Sequence, residues 1–301
     1  MMRPTLQQLT YLVAVADHEH FGRAAAACFV SQPGLSAQIR ELESRLGTTL
    51  IERSARGVRF TEIGRSVVDR ARDVLRDVDE LGELARGELG GIVGPLRLGV
   101  IPTLSPYLLP RVVAITHSRF SEAELQLLEL MTDELVGRLR QGAIDLALLA
   151  TDVDDEPSLT AEVLGKDEFL VALPSNHPLA RRSGVLRLAD LSNTRMLLLS
   201  EGNCLRDQAE AVCYDALLPI ADVHGTSLTT VVQMVAAGQG CTLLPAIAAR
   251  VEARQESGIV VRSLAAPAPS RQITLVWRKR SPRVDHYREL AALLRPLLTP
   301  A

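Results

Sequence analysis

The feature that most restricts the fold of this chain is the alternation of apolar strand-like runs with amphipathic segments from residue 96 onward. The aliphatic runs at 96–101 and 125–131 have the length of buried strands, and residues 132–141 show the spacing of an amphipathic helix. Strands that alternate with helices are typical of a parallel sheet whose connections cross over through helices. We therefore predict an α/β domain over residues 96–301.

Two α/β lobes are expected within this domain. The first lobe would comprise residues 96–168 and 271–301, and the second would comprise residues 169–270. The chain would pass between the lobes through strands near 166–170 and 270–273. This arrangement predicts a cleft between the two lobes.

The first 46 residues show three helical segments, at 5–17, 21–29 and 33–46. Before the third segment, Ser31 suits a helix N-cap and Pro33 suits the first helical turn. Two helices joined this tightly are typical of a helix-turn-helix motif. An ordinary three-helix bundle with a solvated polar face would give the same pattern and is the alternative.

Residues 50–61 are predicted to form a hairpin-like wing around Gly57. The wing carries three arginines, opposed by a single acidic residue, Glu52. These arginines are Arg53, Arg56 and Arg59. Arginines on a loop beside a polar helix face fit contact with DNA phosphates.

Residues 62–90 give the longest helical pattern in the chain. Apolar residues recur there at alternating steps of four and three, which is the seam of a heptad repeat. The seam consists of Val67, Ala71, Val74, Val78, Leu81 and Ala85. A single isolated helix cannot bury such a seam, so the pattern predicts dimerisation. Glycines and a proline at 91–95 predict a hinge.

A further segment of the chain carries two side chains that can react with oxidants, Cys204 and Cys213. An apolar run at 196–200 predicts a buried strand, after which Asn203 is a plausible N-cap of a helix that begins near Cys204. The helix N-terminus and the nearby Arg206 would both favour a thiolate at Cys204.

The spacing of the two cysteines predicts that they cannot bond while this helix is intact. Nine residues of helix correspond to a rise of about 13.5 Å and a rotation of about 900°, so the side chains face opposite sides. A disulfide requires Cα atoms within about 7 Å. Oxidation would therefore require partial unfolding of the helix. The alternative is that both thiols are buried as small hydrophobic side chains without a redox role.

Composition excludes several classes of protein. Four cysteines among 301 residues do not form a disulfide framework, and we expect the reducing cytoplasm as the compartment. The sequence shows neither a run of 18 apolar residues nor a signal-peptide core, so no membrane association is expected. The six histidines lack helical i,i+4 pairs, so no metal is expected, and no cofactor motif is recognised. Residues 1–61 hold seven Arg against five acidic residues, whereas the whole chain has a net charge of −3.

Residues 5–64 resemble the winged helix-turn-helix domain of LysR-type transcriptional regulators. The resemblance rests on residues 30–36 (VSQPGLS), 39–43 (IRELE) and 60–64 (FTEIG). It implies a partner in double-stranded DNA, with RNA polymerase as a further possible partner. Five residues at the start of the third helix are then expected to reach the major groove, while Arg53 and Arg56 contact phosphates. The five are Ser31, Gln32, Pro33, Ser36 and Arg40.

The remainder of the chain resembles the effector domain of the same family, which is similar to periplasmic binding proteins. The peroxide-sensing members are the most similar, as judged from residues 101–110 (IPTLSPYLLP), residues 202–208 (GNCLRDQ) and Cys213. The resemblance implies that Cys204 reacts with peroxide and that Cys213 resolves the product. It also implies which other side chains surround the peroxide: Thr103, Thr132, Asp207 and Arg271.

Asn203 departs from the pattern of the peroxide-sensing members, which usually have a histidine at this position. An amide cannot exchange a proton near neutral pH as an imidazole can. The thiolate would then depend more on Arg206, Arg271 and the helix N-terminus.

The sequence thus predicts a DNA-binding regulator, a dimer of dimers, in which hydrogen peroxide oxidises Cys204 and Cys213 condenses with the product. The helix between the thiols would unwind and the subunits would be rearranged on DNA. One alternative is a LysR-type regulator that binds a small metabolite in the cleft, with incidental cysteines. A second alternative is a thiol peroxidase or disulfide reductase, against which the DNA-binding domain argues.

Overall fold

The computed structural model describes residues 3–54, 57–87, 91–254 and 258–298. The chain divides into two compact units, Met1–Leu89 and Gly90–Ala301. The first unit consists of helices α1 (Leu6–His18), α2 (Phe21–Ala27), α3 (Gln32–Leu46) and α4 (Glu62–Gly87), with strands β1 (Ile51–Ser54) and β2 (Gly57–Phe60).

Local capping signals set the helix starts in the first unit. Thr5 and Gln8 form a reciprocal capping box at the start of α1, each side chain binding the other residue's backbone. The Ser31 hydroxyl accepts a hydrogen bond from the Gly34 N–H at 3.3 Å, and Pro33 lies in the first turn of α3. The predicted cap at Ser31 and the predicted place of Pro33 are therefore confirmed.

The core of the first unit forms where three helices converge. Leu12, Val15, Leu35, Ile39 and Leu42 are fully buried there. The antiparallel β1–β2 pair forms the predicted wing. A carboxylate oxygen of the α3 residue Glu43 accepts hydrogen bonds from the Leu50 and Ile51 N–H groups at 2.8 and 3.1 Å, which ties the wing to α3.

Helix α4 covers most of the predicted 62–90 helix, of which residues 88–90 lie outside the described part. Val68 and Ala71 are buried against the first unit, whereas Val78 and Leu81 are 37% and 64% exposed. The apolar seam thus continues beyond the part that its own unit covers.

The second unit contains nine strands and six helices among the described residues. The strands are β3 (Gly94–Val100), β4 (Ala123–Glu129), β5 (Leu146–Leu149), β6 (Leu159–Pro174), β7 (Met196–Leu199), β8 (Ile220–Gly225), β9 (Thr242–Pro245), β10 (Ile259–Arg262) and β11 (Ser270–Arg278). The helices are α5 (Ser105–Arg119), α6 (Thr132–Gln141), α7 (Cys204–Asp215), α8 (Leu228–Ala236), α9 (Ala246–Glu252) and α10 (Val284–Leu294). Short 3₁₀ helices span Pro178–Arg181, Leu188–Leu191 and Arg295–Leu297. Strand β3 begins inside the segment predicted as a hinge, two residues before the predicted strand.

The main sheet is mixed rather than parallel throughout. Its strands follow the order β10–β6–β11–β5–β3–β4, with β9 also paired to β6, and a separate parallel pair consists of β7 and β8. Strand β3 is parallel to β4 and β5, as predicted. The prediction of a parallel sheet is wrong for β6 and β11, which pair antiparallel with each other because the chain crosses between the lobes once in each direction.

The two expected lobes each have a hydrophobic core. One core draws its buried residues from 92–164 and 273–294, and the other draws them from 169–264. Strand β6 contributes Leu159 and Leu164 to the first core and Phe169 to the second. In the described ranges, every helix is too short or too polar to cross a lipid bilayer.

Candidate redox site

Helix α7 begins at Cys204 because a buried strand ends directly before it in a tight turn. After β7, Gly202 adopts a φ of 86°, a left-handed conformation that glycine tolerates without steric cost. Asn203 then occupies the N-cap position, and its carbonyl oxygen accepts hydrogen bonds from the N–H groups of Arg206 and Asp207 at 2.8 and 3.4 Å. The turn therefore places the Cys204 side chain in the first turn of α7.

Asn203 holds this turn in a different way from the one predicted. Its side chain does not cap α7; instead, its Nδ2 donates a hydrogen bond to the Ser200 carbonyl oxygen at 3.1 Å. The amide is buried and this bond points back along the chain. The predicted N-cap position of Asn203 is correct, but its side chain bonds to Ser200 instead of capping α7.

Burial determines the acidity of the Cys204 thiol. The pKa of Cys204 is raised from its ordinary value, mainly because burial disfavours the charged thiolate, and Asp207 adds to the rise by charge repulsion. Thr132, the Arg271 charge and the Leu205 N–H act in the opposite direction. The N–H group at the helix N-terminus thus favours the thiolate, as predicted, but the sequence did not reveal the burial that outweighs it.

Arg271 is a fully buried cation beside this thiol. Its Nε donates to a carboxylate oxygen of Asp167 at 3.0 Å, and its Nη1 donates to the Thr103 hydroxyl at 3.0 Å. The other Asp167 oxygen accepts a hydrogen bond from the Ile247 N–H at 3.0 Å. A buried charge is tolerated only when it is paired and hydrogen-bonded, and this network meets that condition.

Several buried polar atoms near Cys204 have unused hydrogen-bonding capacity. Among the described residues, no group forms a hydrogen bond of ordinary geometry with Thr132 Oγ1, Thr151 Oγ1 or Gln208 Oε1. Thr132 nevertheless lies close enough to Cys204 to lower the pKa of its thiol. Thr132, Thr151 and Cys204 line a pocket of about 450 Å³. A small polar molecule in this pocket could bond to the hydroxyls beside the thiol.

Arg206 does not support the thiolate in the way predicted. Its guanidinium donates to the Leu199 carbonyl oxygen at 2.7 Å and lies 3.4 Å from His224 Nδ1 and 3.8 Å from Glu210. These contacts tie the first turn of α7 to the β7–β8 pair. Arg271, rather than Arg206, is the arginine that lowers the pKa of Cys204.

Cys213 lies on the same helix but in a different environment. It is fully buried in the core of the second lobe, whereas Cys204 packs against the core of the first lobe. Burial raises the pKa of Cys213 to about 11, with a further contribution from Glu210. Both cysteines are free thiols. The intact helix therefore keeps the two thiols apart, as the spacing predicts.

The predicted DNA-contacting residues lie at the start of α3. Ser31, Gln32, Pro33 and Arg40 are exposed, and Ser36 is half-buried. On the wing, Arg59 is exposed. The structure places Arg53 in β1 without describing its side chain, and Arg56 lies outside the described residues.

Three polar residues of the site were missed by the sequence analysis. Gln208 lies inside the recognised 202–208 motif, and its Nε2 donates to the Ala150 carbonyl oxygen at 2.6 Å. Thr151 and Asp167 have no local pattern that marks them, because the partners of Asp167 are more than 70 residues away in sequence. Within the described ranges, no cluster of three or more His, Cys, Asp or Glu residues could hold a metal ion.

Comparison with known proteins covers nearly the whole chain. Residues 6–65 match the bacterial regulatory helix-turn-helix proteins of the lysR family, and residues 89–299 match the LysR substrate binding domain. The chain is 43% identical over 292 residues to the DNA-binding transcriptional dual regulator OxyR of Escherichia coli K12, covering 96% of this chain and 94% of that protein.

Two solved structures extend the similarity to the fold. A full-length OxyR variant from Pseudomonas aeruginosa aligns with a TM-score of 0.80 at 34% identity, covering 97% of this chain and 98% of that one. A hydrogen-peroxide-bound OxyR cysteine-to-serine variant from Corynebacterium glutamicum aligns with a TM-score of 0.66 at 35% identity, covering 98% of this chain and 93% of that one.

Proposed function

Because the chain belongs to the LysR family of bacterial helix-turn-helix regulators, we propose that it is a transcriptional regulator that responds to hydrogen peroxide through a Cys204–Cys213 disulfide. The observation that carries this proposal is the position of Cys204 in a polar pocket beside a buried arginine and an unpartnered hydroxyl. The names of the similar proteins, which include OxyR and hydrogen peroxide-inducible genes activators, support the same signal.

The first chemical step is oxidation of Cys204. The thiol loses its proton, and the thiolate sulfur attacks one peroxide oxygen while the O–O bond breaks. The products are a Cys204 sulfenic acid and hydroxide, which takes up the proton and leaves as water. The Thr103 and Thr132 hydroxyls and the Arg271 guanidinium are the groups that would orient the peroxide, and Asp207 would lie at its entrance.

The second step joins the two thiols. The Cys213 sulfur attacks the Cys204 sulfur, the S–O bond breaks, and the hydroxyl leaves as a second water molecule. Since Cys213 begins inside the core of the second lobe, part of α7 must unwind before the sulfur atoms meet. The oxidised and reduced proteins would therefore differ in the shape of the second lobe.

Assembly would convert this local change into a change in DNA binding. The exposed part of the α4 seam, together with a largely apolar pocket of about 510 Å³ that includes Ile63, Val67 and Val74, would bind the same helix of a second chain. Two such dimers would form a tetramer whose DNA-binding units shift when the second lobe changes shape. In its oxidised form the protein would recruit RNA polymerase, as the word activator in the names of relatives suggests.

Intact-mass measurement with thiol trapping tests the redox proposal directly. Treatment with hydrogen peroxide should remove two trappable thiols and yield a peptide that contains the Cys204–Cys213 disulfide. The Cys204→Ser variant should give no such peptide and no change in its DNA footprint, whereas Cys241→Ser should respond like the wild type. A Cys204 thiol that remains trappable under excess peroxide would exclude peroxide sensing.

A metabolite-binding regulator is the second candidate, and the size of the pocket favours it. A volume of about 450 Å³ is in the range of sites for small organic ligands, and hydrogen peroxide alone would leave most of it to solvent. Under this candidate the Cys204→Ser variant would keep a ligand-dependent change in its DNA footprint. A response that disappears with the thiol would favour the redox proposal instead.

A further inference from the structure

The pocket beside Cys204 has a strongly acidic lining. Five carboxylates and one guanidinium line it, which is a formal excess of four negative charges. The acidic residues are Asp133, Asp152, Asp155, Glu156 and Asp207, and the basic residue is Arg140. All the carboxylates except that of Glu156 belong to exposed residues, so they surround the opening of the pocket rather than its floor.

The positive charges nearby do not cancel this excess. Arg140 lies 3.5 Å from Glu156 and therefore offsets one carboxylate of the five. Arg271 is buried, is not part of the pocket lining and is paired with Asp167 at 3.0 Å. A molecule that approaches Cys204 from solvent thus passes a lining whose net charge is negative, in spite of Arg140.

The carboxylates come from three separate elements that meet at the pocket. Asp133 lies in the first turn of α6, Asp207 lies in the first turn of α7, and the others follow β5. Charge of one sign that is gathered around a cleft changes the local concentration of charged solutes there. Neutral solutes are not affected in this way.

From this arrangement we infer that the carboxylates around the pocket make Cys204 selective for neutral peroxides against anionic ones. The inference rests on the proposed peroxide reaction and adds to it the class of oxidant that can reach the thiol. Hydrogen peroxide carries no charge near neutral pH and enters freely. Anionic oxidants, such as peroxymonophosphate and peroxynitrite, are repelled before they reach the thiolate.

Peroxymonophosphate is a suitable probe because it delivers the same oxygen atom. The Cys204 thiolate would attack its outer peroxide oxygen, the O–O bond would break, and inorganic phosphate would leave in place of hydroxide. The product is the same Cys204 sulfenic acid, so a single assay of thiol loss gives rate constants for both oxidants. A change in the reactivity of the thiolate itself affects both rate constants and therefore cancels in their ratio.

The test compares this ratio among the full-length wild type, the double variant Asp152→Asn/Asp155→Asn and the control Asp154→Asn. Asp154 is an exposed carboxylate of the same loop that does not line the pocket. At low salt, the double variant should raise the peroxymonophosphate rate relative to that of hydrogen peroxide by about tenfold. This is the lower end of the range of about 10- to 10³-fold by which charge of one sign in a cleft alters association rates, because the variant removes only two of the carboxylates. The control variant should change the ratio little.

Salt provides a second measurement that needs no substitution. The Debye length falls from about 30 Å at 0.01 M salt to about 3 Å at 1 M, so repulsion of the anion should weaken while the rate with hydrogen peroxide stays constant. An unchanged ratio across both salt and substitution would overturn the inference while leaving peroxide sensing intact. A wild-type Cys204 that neither oxidant oxidises would overturn the proposed function, and the inference with it.

Discussion

At the scale of single residues, the reactivity of Cys204 reflects a balance between burial and a few specific contacts. Burial and Asp207 raise the pKa of the thiol, whereas Thr132, Arg271 and the Leu205 N–H lower it. Only the thiolate attacks a peroxide. Small changes in these contacts should therefore appear directly in the rate of oxidation.

The Thr132→Val variant should slow the oxidation of Cys204. Valine keeps the shape of threonine but removes the hydroxyl, so the pKa of the thiol should rise further. If the hydroxyl favours the thiolate by about 1 kcal/mol, its loss lowers the thiolate fraction about fivefold at a pH below the pKa. The curve of oxidation rate against pH should move to higher pH, and stopped-flow measurement of thiol loss from pH 6 to 9 would show the shift.

Thr151→Val is the matched control for this prediction. Thr151 lines the same pocket with an unpartnered hydroxyl, but it is not among the groups that lower the pKa of Cys204. This variant should keep the wild-type dependence of the oxidation rate on pH. Equal displacement of the curve in both variants would contradict the role assigned to Thr132.

At the scale of elements, α7 ends in a strained conformation close to Cys213. Leu217 follows the helix with a φ of 52°, a left-handed conformation that costs a residue with a Cβ about 1–2 kcal/mol, and its side chain is 87% exposed. The Leu218 N–H nevertheless donates to the Cys213 carbonyl oxygen at 2.8 Å, which fixes the turn. The strain lowers the stability of the helix end that would unwind in the proposed mechanism.

The Leu217→Gly variant should stabilise the reduced protein and slow disulfide formation. Glycine relieves the strain, although its greater freedom in the unfolded chain offsets part of the gain, so we expect about 0.5–1 kcal/mol. Urea unfolding would give the stability, and amide exchange across residues 204–217 should slow. Glycine at Ala216, where φ is −96°, should have the opposite effect, and the same gain at both positions would argue against strain.

The wing and the start of α3 should contribute differently to DNA binding. Arg59 is exposed on β2, so Arg59→Ala should weaken binding to all sequences about equally and reduce the slope of affinity against salt by about one. Arg40 is exposed on α3, and Arg40→Ala should mainly reduce the preference for the cognate site. Fluorescence anisotropy with specific and scrambled DNA would separate the two effects, and identical profiles would argue against the docking proposed for α3.

At the scale of the whole molecule, the exposed end of the α4 seam points to assembly as a condition for DNA binding. Replacing Val78 and Leu81 by aspartate should dissociate the proposed dimer, because two charges would be placed in its apolar contact. Sedimentation should show a monomer with unchanged secondary structure and much weaker binding to a two-site DNA. The exposed polar residue Asp77 supplies the control, and Asp77→Ser should remain dimeric.

The parts of the fold that the sequence could predict are those set by local signals. Ser31 and Pro33 mark the start of α3, and the pattern of residues 132–141 gives the bounds of α6. Strand β8 was not predicted, because most of its residues are exposed or half-buried and its apolar pattern is weak. Strand β10 and the first half of β6 were also missed, since their pairing depends on distant strands.

In the candidate site, too, the features set by local sequence could be predicted, whereas those set by distant contacts could not. The place of Cys204 at the start of α7 followed from its neighbours in sequence, and so did the separation of Cys204 from Cys213. The direction of the change in the pKa of Cys204 did not follow, because burial is a property of the packed lobes. The contacts of Arg206 likewise depend on β7 and β8, which sequence spacing does not bring together.

The location of Cys213 in the core of the second lobe also sets how long an oxidised molecule would persist. Drawing this side chain out of a close-packed interior leaves a void, and voids of this kind reduce stability by about 1 kcal/mol or more. The disulfide would hold the protein in a less stable arrangement. Reduction would restore the lost stability, because Cys213 could return to the core. Refolding of the lobe would thus favour reduction of the disulfide by cellular thiols, and the oxidised state would last only briefly after exposure to oxidant.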